Sequence, residues 1–124
     1  MRLNQVTVGA IDLDRSIAFY GTLGLRLIVK SPHYARFELP DGDSTFSLHV
    51  ATEGPGPHAP MIYFESETLD ADVARLKAAG IAFDLDPVDQ TWLWREAHLR
   101  DPADNALILY HAGKNRKHPP WRVE

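Results

Sequence analysis

Four side chains in the second half of the chain have types and a spacing that suit ligand binding and proton transfer. Trp92, Trp94, Glu96 and His98 occupy every second position, and such alternation places side chains on one face of a β-strand. The two indoles are able to stack on a flat or cationic molecule. Glu96 is the best candidate for a general base, and so for a catalytic residue, because a carboxylate can take a proton from a bound ligand.

The same alternation predicts which positions of the other strands face a ligand. In each strand the apolar set is assigned to the side covered by a helix, which leaves the other set to line a cup for the ligand. Arg36 suits a carboxylate or a phosphate, which a guanidinium holds with two parallel hydrogen bonds. The predicted ligand-binding residues are Gln5, Arg36, Ser47, His49, Trp92, Trp94, His98 and Tyr110.

Each of these side chains also has an ordinary structural interpretation. Aromatic pairs on one strand face are common in sheets, so Trp92 and Trp94 fit a packing role equally well. Arg36 fits a solvated strand position, and Glu96 fits an ion pair with Arg36 or Arg95. Residue types alone do not separate these interpretations from the functional ones.

The elements that position these residues are encoded twice. The window 13–24 begins with Leu-Asp, continues with apolar residues at helical spacing and ends in Gly, and it reappears at one constant offset as the window 69–80. A repeated window of helix size indicates two copies of one supersecondary unit. Two such copies that meet would form a shared cleft, which is a suitable place for a site.

The predicted order of elements in each copy is β-α-β-β-β. Asp12 and Asp14 are candidate N-caps of a first helix that ends at Gly24, and Gly80 ends the second helix. Strands are expected over 5–9, 25–31, 34–39 and 45–51, and then over 61–66, 81–85, 91–99 and 105–111. One domain therefore spans 1–111, with repeat one at 1–51, a linker rich in Pro and Gly at 52–59, and repeat two at 60–111. A basic tail containing Pro follows at 112–124.

Composition limits the classes of function. The 124-residue chain has a net charge of −4, which argues against nucleic acid as the main partner, since phosphate binding needs a basic face. The chain contains no Cys, which excludes disulfides, thiolate catalysis and Cys-type zinc sites. No apolar run approaches the roughly 20 residues that span a bilayer. These features predict a cytoplasmic protein without a membrane partner, and a chain this short favours a homodimer.

Three motifs carry a resemblance to a known family. The duplicated βαβββ unit, the helix sequence LDRSIAFY followed by Leu-Gly-Leu, and the Arg-Asp-Pro turn at 100–102 resemble the vicinal oxygen chelate superfamily. This superfamily contains glyoxalase I, bleomycin-resistance proteins, fosfomycin-resistance enzymes and extradiol dioxygenases. The resemblance implies an α+β fold in which two βαβββ repeats form an open-barrel cup, usually within a dimer.

The resemblance also implies four metal-ligand positions, two in each repeat. In this chain they fall at Gln5, at Phe46 or Ser47, near Met61 and at Ile108. Of these only Gln5 is a ligand type of that family, because Met and Ile offer a hard or borderline cation neither imidazole nor carboxylate. A displaced set made of Gln5, His49, Glu96 and His98 has suitable chemistry for a divalent transition metal such as Zn, Fe, Mn or Ni.

These residues favour a small-molecule-binding protein similar to the bleomycin-resistance proteins, with an aromatic cup, a degenerate family metal site and no cofactor. The alternative is a metal-dependent lyase, isomerase or dioxygenase that uses the displaced ligand set. A third interpretation is an auxiliary dimer without turnover. Metal content separates the first from the second, and stabilisation by a ligand separates the first from the third.

Overall fold

The computed structural model describes residues 1–123, which follow the order β-α-β-β-β twice. The elements are β1 (Gln5–Ala10), α1 (Leu13–Leu23), β2 (Arg26–Ser31), β3 (Tyr34–Glu38), β4 (Thr45–Val50), β5 (Ile62–Glu65), α2 (Leu69–Ala78), β6 (Leu85–Asp89), β7 (Arg95–Arg100), β8 (Ala106–His111) and a 3₁₀ helix (Gly113–Arg116). The predicted α+β class with two βαβββ units is confirmed. Within the described range, neither helix has the length and apolar character needed to cross a membrane.

The first compact unit consists of residues 1–59 and 101–105. Its sheet has the order β1-β4-β3-β2, in which β1 and β4 run parallel and the other neighbours antiparallel. The ring of Tyr20 on α1 lies 4.6 Å from the ring of Phe46 on β4 and 6.0 Å from that of Phe37 on β3. The apolar face of this sheet therefore packs against α1, and the alternate positions lie on the opposite face.

Local sequence explains both ends of α1. Asp12 is the N-cap residue, and its side chain accepts a hydrogen bond from the backbone N–H of Arg15 at 3.1 Å. Gly24 ends the helix with a φ of 110°, a left-handed conformation that favours glycine because it has no Cβ. The helix start at Asp12 and the stop at Gly24 are as the sequence predicts.

A buried polar cluster holds residues 101–105 in the first unit. The carboxylate of Asp101 accepts hydrogen bonds from the Tyr20 hydroxyl at 2.6 Å and from the backbone N–H groups of Ala103 and Asn105 at 2.9 Å each. The side-chain amide of Asn105 also donates to Asp101 and to the carbonyl of Gly9, each at 2.8 Å. Burial, followed by the charge of Asp101, raises the pKa of Tyr20 far above its ordinary value. The hydroxyl therefore stays protonated and acts as a donor.

The second unit consists of Pro60–Arg100 and the chain from Ala106 onward. Its sheet has the order β5-β8-β7-β6, with β5 and β8 parallel. The helix α2 buries Leu69, Val73 and Leu76, which is the face that the sequence predicts. Among the described residues, strand pairing stays within the two four-stranded sheets and does not close into a barrel.

The sixth strand lies later in the chain than the sequence predicts. We expected a strand over 81–85 that ends before Pro87, but β6 covers Leu85–Asp89 and contains that proline. The strand tolerates Pro87 because β6 is the edge of its sheet, and the pairing register shifts between Leu85 and Val88.

The seventh strand begins later than predicted. Residues 91–93 form a turn, and β7 starts at Arg95 rather than at 91. Leu93 has a φ of 67° and is 46% exposed, so the alternation, which predicts that this apolar residue faces the helix together with Ala97 and Leu99, is wrong at Leu93. The backbone N–H of Gln90 donates to the carbonyl of Trp94 at 2.8 Å, which closes a tight hairpin where continuous strand was expected.

Candidate functional site

Strand register gathers the predicted site residues of the second unit on one sheet face. Glu96 on β7 pairs with Tyr110 on β8, and His98 pairs with Ile108. On the other side of β8, Tyr63 of β5 pairs with Ile108. These positions face the same way because side chains alternate along each strand.

Glu96 is the most deeply buried charged group of this face, at 1% exposure. Its Oε1 lies 2.8 Å from Nε2 of His98, and its Oε2 accepts a hydrogen bond from the indole Nε1 of Trp92 at 2.7 Å. Both carboxylate oxygens are thus engaged, and they hold the imidazole and one indole in place. The role of Glu96 as a general base stays a prediction.

A cluster of three aromatic rings lies beside this carboxylate. The rings of Trp94 and Tyr110 stack with a centroid distance of 4.8 Å and an angle of 25°. The ring of Tyr63 meets both edge-on, at 5.8 Å and 5.4 Å. Burial raises the pKa of both tyrosines, and Glu96 adds to the effect at Tyr63. We call Tyr63, Trp94, Tyr110, Glu96 and His98 the aromatic face.

Two of these residues show what the sequence revealed and what it missed. Trp94 is a predicted ligand-binding residue and belongs to the aromatic face, whereas Trp92 lies in the turn and is 45% exposed. The sequence does not single out Tyr63, because both sides of the predicted strand 61–66 are largely apolar. Its position opposite Ile108 in the parallel pair β5–β8 places it on this face, and that register is not visible in the sequence.

The start of the C-terminal tail is attached to the same unit. Glu65 Oε2 accepts hydrogen bonds from the backbone N–H groups of Ala112 at 3.0 Å and Gly113 at 3.3 Å. The indole N–H of Trp94 donates to the carbonyl of Asn115 at 3.3 Å. The 3₁₀ helix of the tail therefore fixes the orientation of the Trp94 ring.

The first unit carries a polar sheet face made of the other predicted residues. Ser47 on β4 pairs with Thr7 on β1 and with Arg36 on β3, and the three side chains share the face that α1 leaves uncovered. The hydroxyl of Ser47 bonds the side-chain amide of Gln5 at 2.7 Å. His49 lies further along β4 and is exposed.

The residues at the implied metal positions do not fit a metal. Met61 and Ile108 offer a thioether and a hydrocarbon, which are poor ligands for hard or borderline cations. In the displaced set, Gln5 pairs with Thr45 and His49 pairs with Gly9, which separates the two by about 13 Å along the ladder. Among residues 1–123, no group of three or more His, Asp or Glu side chains is placed to hold an ion. The displaced set stays a prediction.

Comparison with known proteins identifies a family. Residues 2–109 match the Glyoxalase/Bleomycin resistance protein/Dioxygenase superfamily. A protein of Mycolicibacterium smegmatis whose function is uncharacterised is 29% identical over 109 residues, which cover 87% of this chain and 91% of that protein.

Solved structures of low sequence identity share the fold. A glyoxalase/bleomycin resistance protein/dioxygenase from Nocardioides matches with a TM-score of 0.80 and 23% identity, over 100% of this chain and 90% of the other. A bleomycin-binding protein in complex with bleomycin matches with a TM-score of 0.72 and 19% identity, over 90% and 98%. TioX from Micromonospora sp. ML1 matches with a TM-score of 0.75 and 18% identity, over 90% and 99%.

Proposed function

The chain belongs to the Glyoxalase/Bleomycin resistance protein/Dioxygenase superfamily, and on that basis we propose that it binds a planar small organic molecule at the aromatic face of its second unit. The observation that carries the proposal is the stacked pair Trp94–Tyr110 next to the carboxylate of Glu96. Such rings bind flat molecules by stacking, and a few fixed polar groups beside them orient the ligand.

Three groups of the aromatic face are open enough to meet a ligand, namely Tyr63, His98 and the half-buried Trp94. Tyr110 is buried at 6% exposure and supports the Trp94 ring by stacking on it. Tyr63 is 38% exposed, and the side chain of His98 is 37% exposed. Glu96 holds Nε2 of His98, which leaves the other ring nitrogen without a hydrogen bond to any residue in 1–123. That nitrogen is available to bond a polar group at the edge of a bound ring.

The relative with a stated ligand supplies the first probe. The bleomycin-binding protein shares the fold, so bleomycin is a reasonable first test compound here. The proposal itself is wider and covers flat heteroaromatic molecules, including cationic ones that stack on indole.

Ligand screening by thermal shift tests the proposal, with bleomycin and a panel of flat heteroaromatic compounds. A ligand that binds the folded state raises the melting temperature, and a ligand at the aromatic face also quenches tryptophan fluorescence. We expect Trp94→Ala to weaken binding by about tenfold, the scale of one lost stacking contact. Trp121→Phe is the matched control, because Trp121 is 57% exposed in the tail and outside the aromatic face.

Two outcomes would count against the proposal. One is a panel without any stabilising compound, and the other is a ligand that binds Trp94→Ala and the native protein equally. Circular dichroism of Trp94→Ala verifies that the variant is folded before its affinity is compared.

The metal-dependent alternative has a separate test. Met61 and Ile108 lack the donors that the family's usual positions need, so this alternative rests on the displaced set of Gln5, His49, Glu96 and His98. Elemental analysis of untagged protein purified without a chelator would show about one equivalent of Zn, Fe, Mn or Ni per chain if the displaced set held an ion. No metal after reconstitution would leave the binding function and the auxiliary dimer without turnover, which stabilisation by a ligand separates.

A further inference from the structure

A chain of hydrogen bonds crosses the polar sheet face of the first unit, and its direction is determined by the groups at one end. The side-chain Nε2 of Gln5 lies 3.2 Å from the carbonyl oxygen of Val6, which only accepts, so this atom is the donor side of the amide. The same Nε2 lies 2.7 Å from Oγ of Ser47. Gln5 therefore donates to Ser47.

The next link follows from the burial of Ser47, whose exposure is 0%. Its Oγ already accepts from Gln5, and the hydroxyl of Tyr34 lies 2.6 Å away. A buried hydroxyl proton needs an acceptor, so Ser47 donates to the phenolic oxygen of Tyr34. Nε of Arg36 donates to the same oxygen at 3.0 Å.

Tyr34 thus accepts twice at its oxygen and still has its own proton to donate. The guanidinium of Arg36 also has N–H groups left to donate. Only its Nε makes a hydrogen bond, and the group forms no ion pair with any residue in 1–123. Its carbon lies 5.4 Å from the centre of the Tyr34 ring, which keeps the two groups side by side. The neighbouring Glu38 is occupied by Arg26 at 3.5 Å.

We propose that the Tyr34 hydroxyl and the Arg36 guanidinium form a binding site for an oxyanion, a carboxylate or a phosphate group. Both are donors with free protons, and a guanidinium matches the spacing of two oxygens on one such group. Ser47 is a positioning residue, because it orients the phenol from the buried side. This site lies on the first unit and does not depend on the aromatic face of the second.

NMR titration of the full-length, ¹⁵N-labelled protein tests the proposal. Sodium acetate is one arm and inorganic phosphate the other, each at constant ionic strength because salt screens exposed charges. We expect saturable shifts of the Arg36 Nε–H and of backbone amides in β3 for at least one probe. The probe that binds more tightly identifies the class of oxyanion.

Variants of Tyr34 and Arg36, with one control, separate a site from general attraction to a surface charge. Tyr34→Phe should weaken binding by about tenfold, as expected for one lost hydrogen bond to a charged group, and Arg36→Gln should abolish saturation. Arg15→Gln removes an exposed guanidinium of α1 and should leave the titration unchanged. If Tyr34→Phe does not fold, Arg36→Lys keeps the charge, loses the fork and should bind distinctly more weakly.

The proposal is overturned if the chemical-shift changes at Arg15 and Arg36 rise linearly and equally with the concentration of acetate or phosphate. It is also overturned if Tyr34→Phe binds the probe as tightly as the native protein. Trp94→Ala should leave this titration as it is in the native protein. Failure here and failure of ligand binding at the aromatic face are therefore separate results.

Discussion

Two serines of the first unit are equally buried and have opposite environments. Ser16 on α1 and Ser47 on β4 are both 0% exposed. Ser47 has two hydrogen-bond partners, Gln5 and Tyr34, whereas Oγ of Ser16 has none in the described part of the chain. A buried hydroxyl without a partner carries the full cost of its desolvation.

Replacing Ser16 by alanine therefore should not destabilise the protein. The change removes an unsatisfied hydroxyl and introduces the best helix former, so we expect the free energy of unfolding to stay constant or rise by up to about 1 kcal/mol. Denaturant unfolding monitored by circular dichroism measures it. A loss of more than about 1 kcal/mol would show that Ser16 has a partner, such as a buried water.

Ser47→Ala should change the titration of Tyr34. The hydrogen bond from Ser47, followed by the one from Arg36, holds the pKa of Tyr34 below its ordinary value, so removing Ser47 should move that pKa back up. The other titratable groups facing Tyr34 are Glu38 on β3 and His49 on β4. A pH titration of ¹³C-labelled tyrosine measures the change, and an unaltered Tyr34 curve would contradict the assigned hydrogen bond.

The lowered pKa of Tyr34 also sets the direction of a pH effect on oxyanion binding. The phenol can donate only while it is protonated, and the phenolate repels an anion. Affinity for acetate or phosphate should therefore fall as the pH rises through the lowered pKa of Tyr34. Tyr34→Phe should remove this fall, which separates it from any effect of Arg36.

At the scale of the element, the turn before β7 shows why the sequence was misleading. Residues 90–93 read Gln-Thr-Trp-Leu and contain no Gly, Asn or Asp, the residues that normally mark a left-handed turn position. The alternation of aromatic and apolar residues continues through the turn and suggests one long strand. Leu93 nevertheless takes a φ of 67°, and the Trp92 indole of this turn reaches Glu96.

Substitutions of Leu93 test whether its positive φ strains the turn. Leu93 is 46% exposed, so little packing is lost with its side chain. We expect Leu93→Gly to leave the free energy of unfolding unchanged or to raise it by up to about 1 kcal/mol, since glycine adopts positive φ readily. Leu93→Val should lower it by about 1–2 kcal/mol, because β-branched residues disfavour that conformation. Equal melting temperatures for Leu93→Gly and Leu93→Val would refute the strained turn.

The sequence predicted the elements with strong local signals and missed those set by tertiary pairing. Asp12, Gly24 and the alternation of β3 and β4 are local, and they gave the first helix and the polar face of the first unit correctly. The start of β6 and the site position of Tyr63 depend on which strands become neighbours. Such pairing is decided by contacts between distant segments, so a single sequence shows it poorly.

The whole molecule carries an exposed apolar edge that bears on its assembly. Every residue of β2 is exposed, and Leu27, Ile28 and Val29 follow one another on this edge strand. Edge strands with exposed apolar side chains tend to pair with another chain. This feature supports the prediction of a homodimer, in which β2 belongs to the contact.

Sedimentation velocity over a range of concentrations tests the oligomeric state. We expect a dimer for the native chain and a shift toward monomer for Ile28→Lys, because a lysine on an edge strand opposes pairing. The control Arg15→Gln changes an exposed residue of α1 and leaves the β2 strand itself intact, so it should sediment like the native protein. A native chain that is monomeric at every concentration would refute the homodimer.

The hydrogen bond between Tyr20 and Asp101 limits where the chain can be truncated. A fragment that stops at residue 59 encodes every helix and strand of the first unit, yet it leaves the buried Tyr20 hydroxyl without the acceptor that lies 81 positions downstream. The corresponding position of the second repeat is Leu76, which needs no acceptor. The two repeats are therefore not interchangeable modules. Deleting or exchanging the second repeat would remove Asp101, the acceptor of the buried Tyr20 hydroxyl.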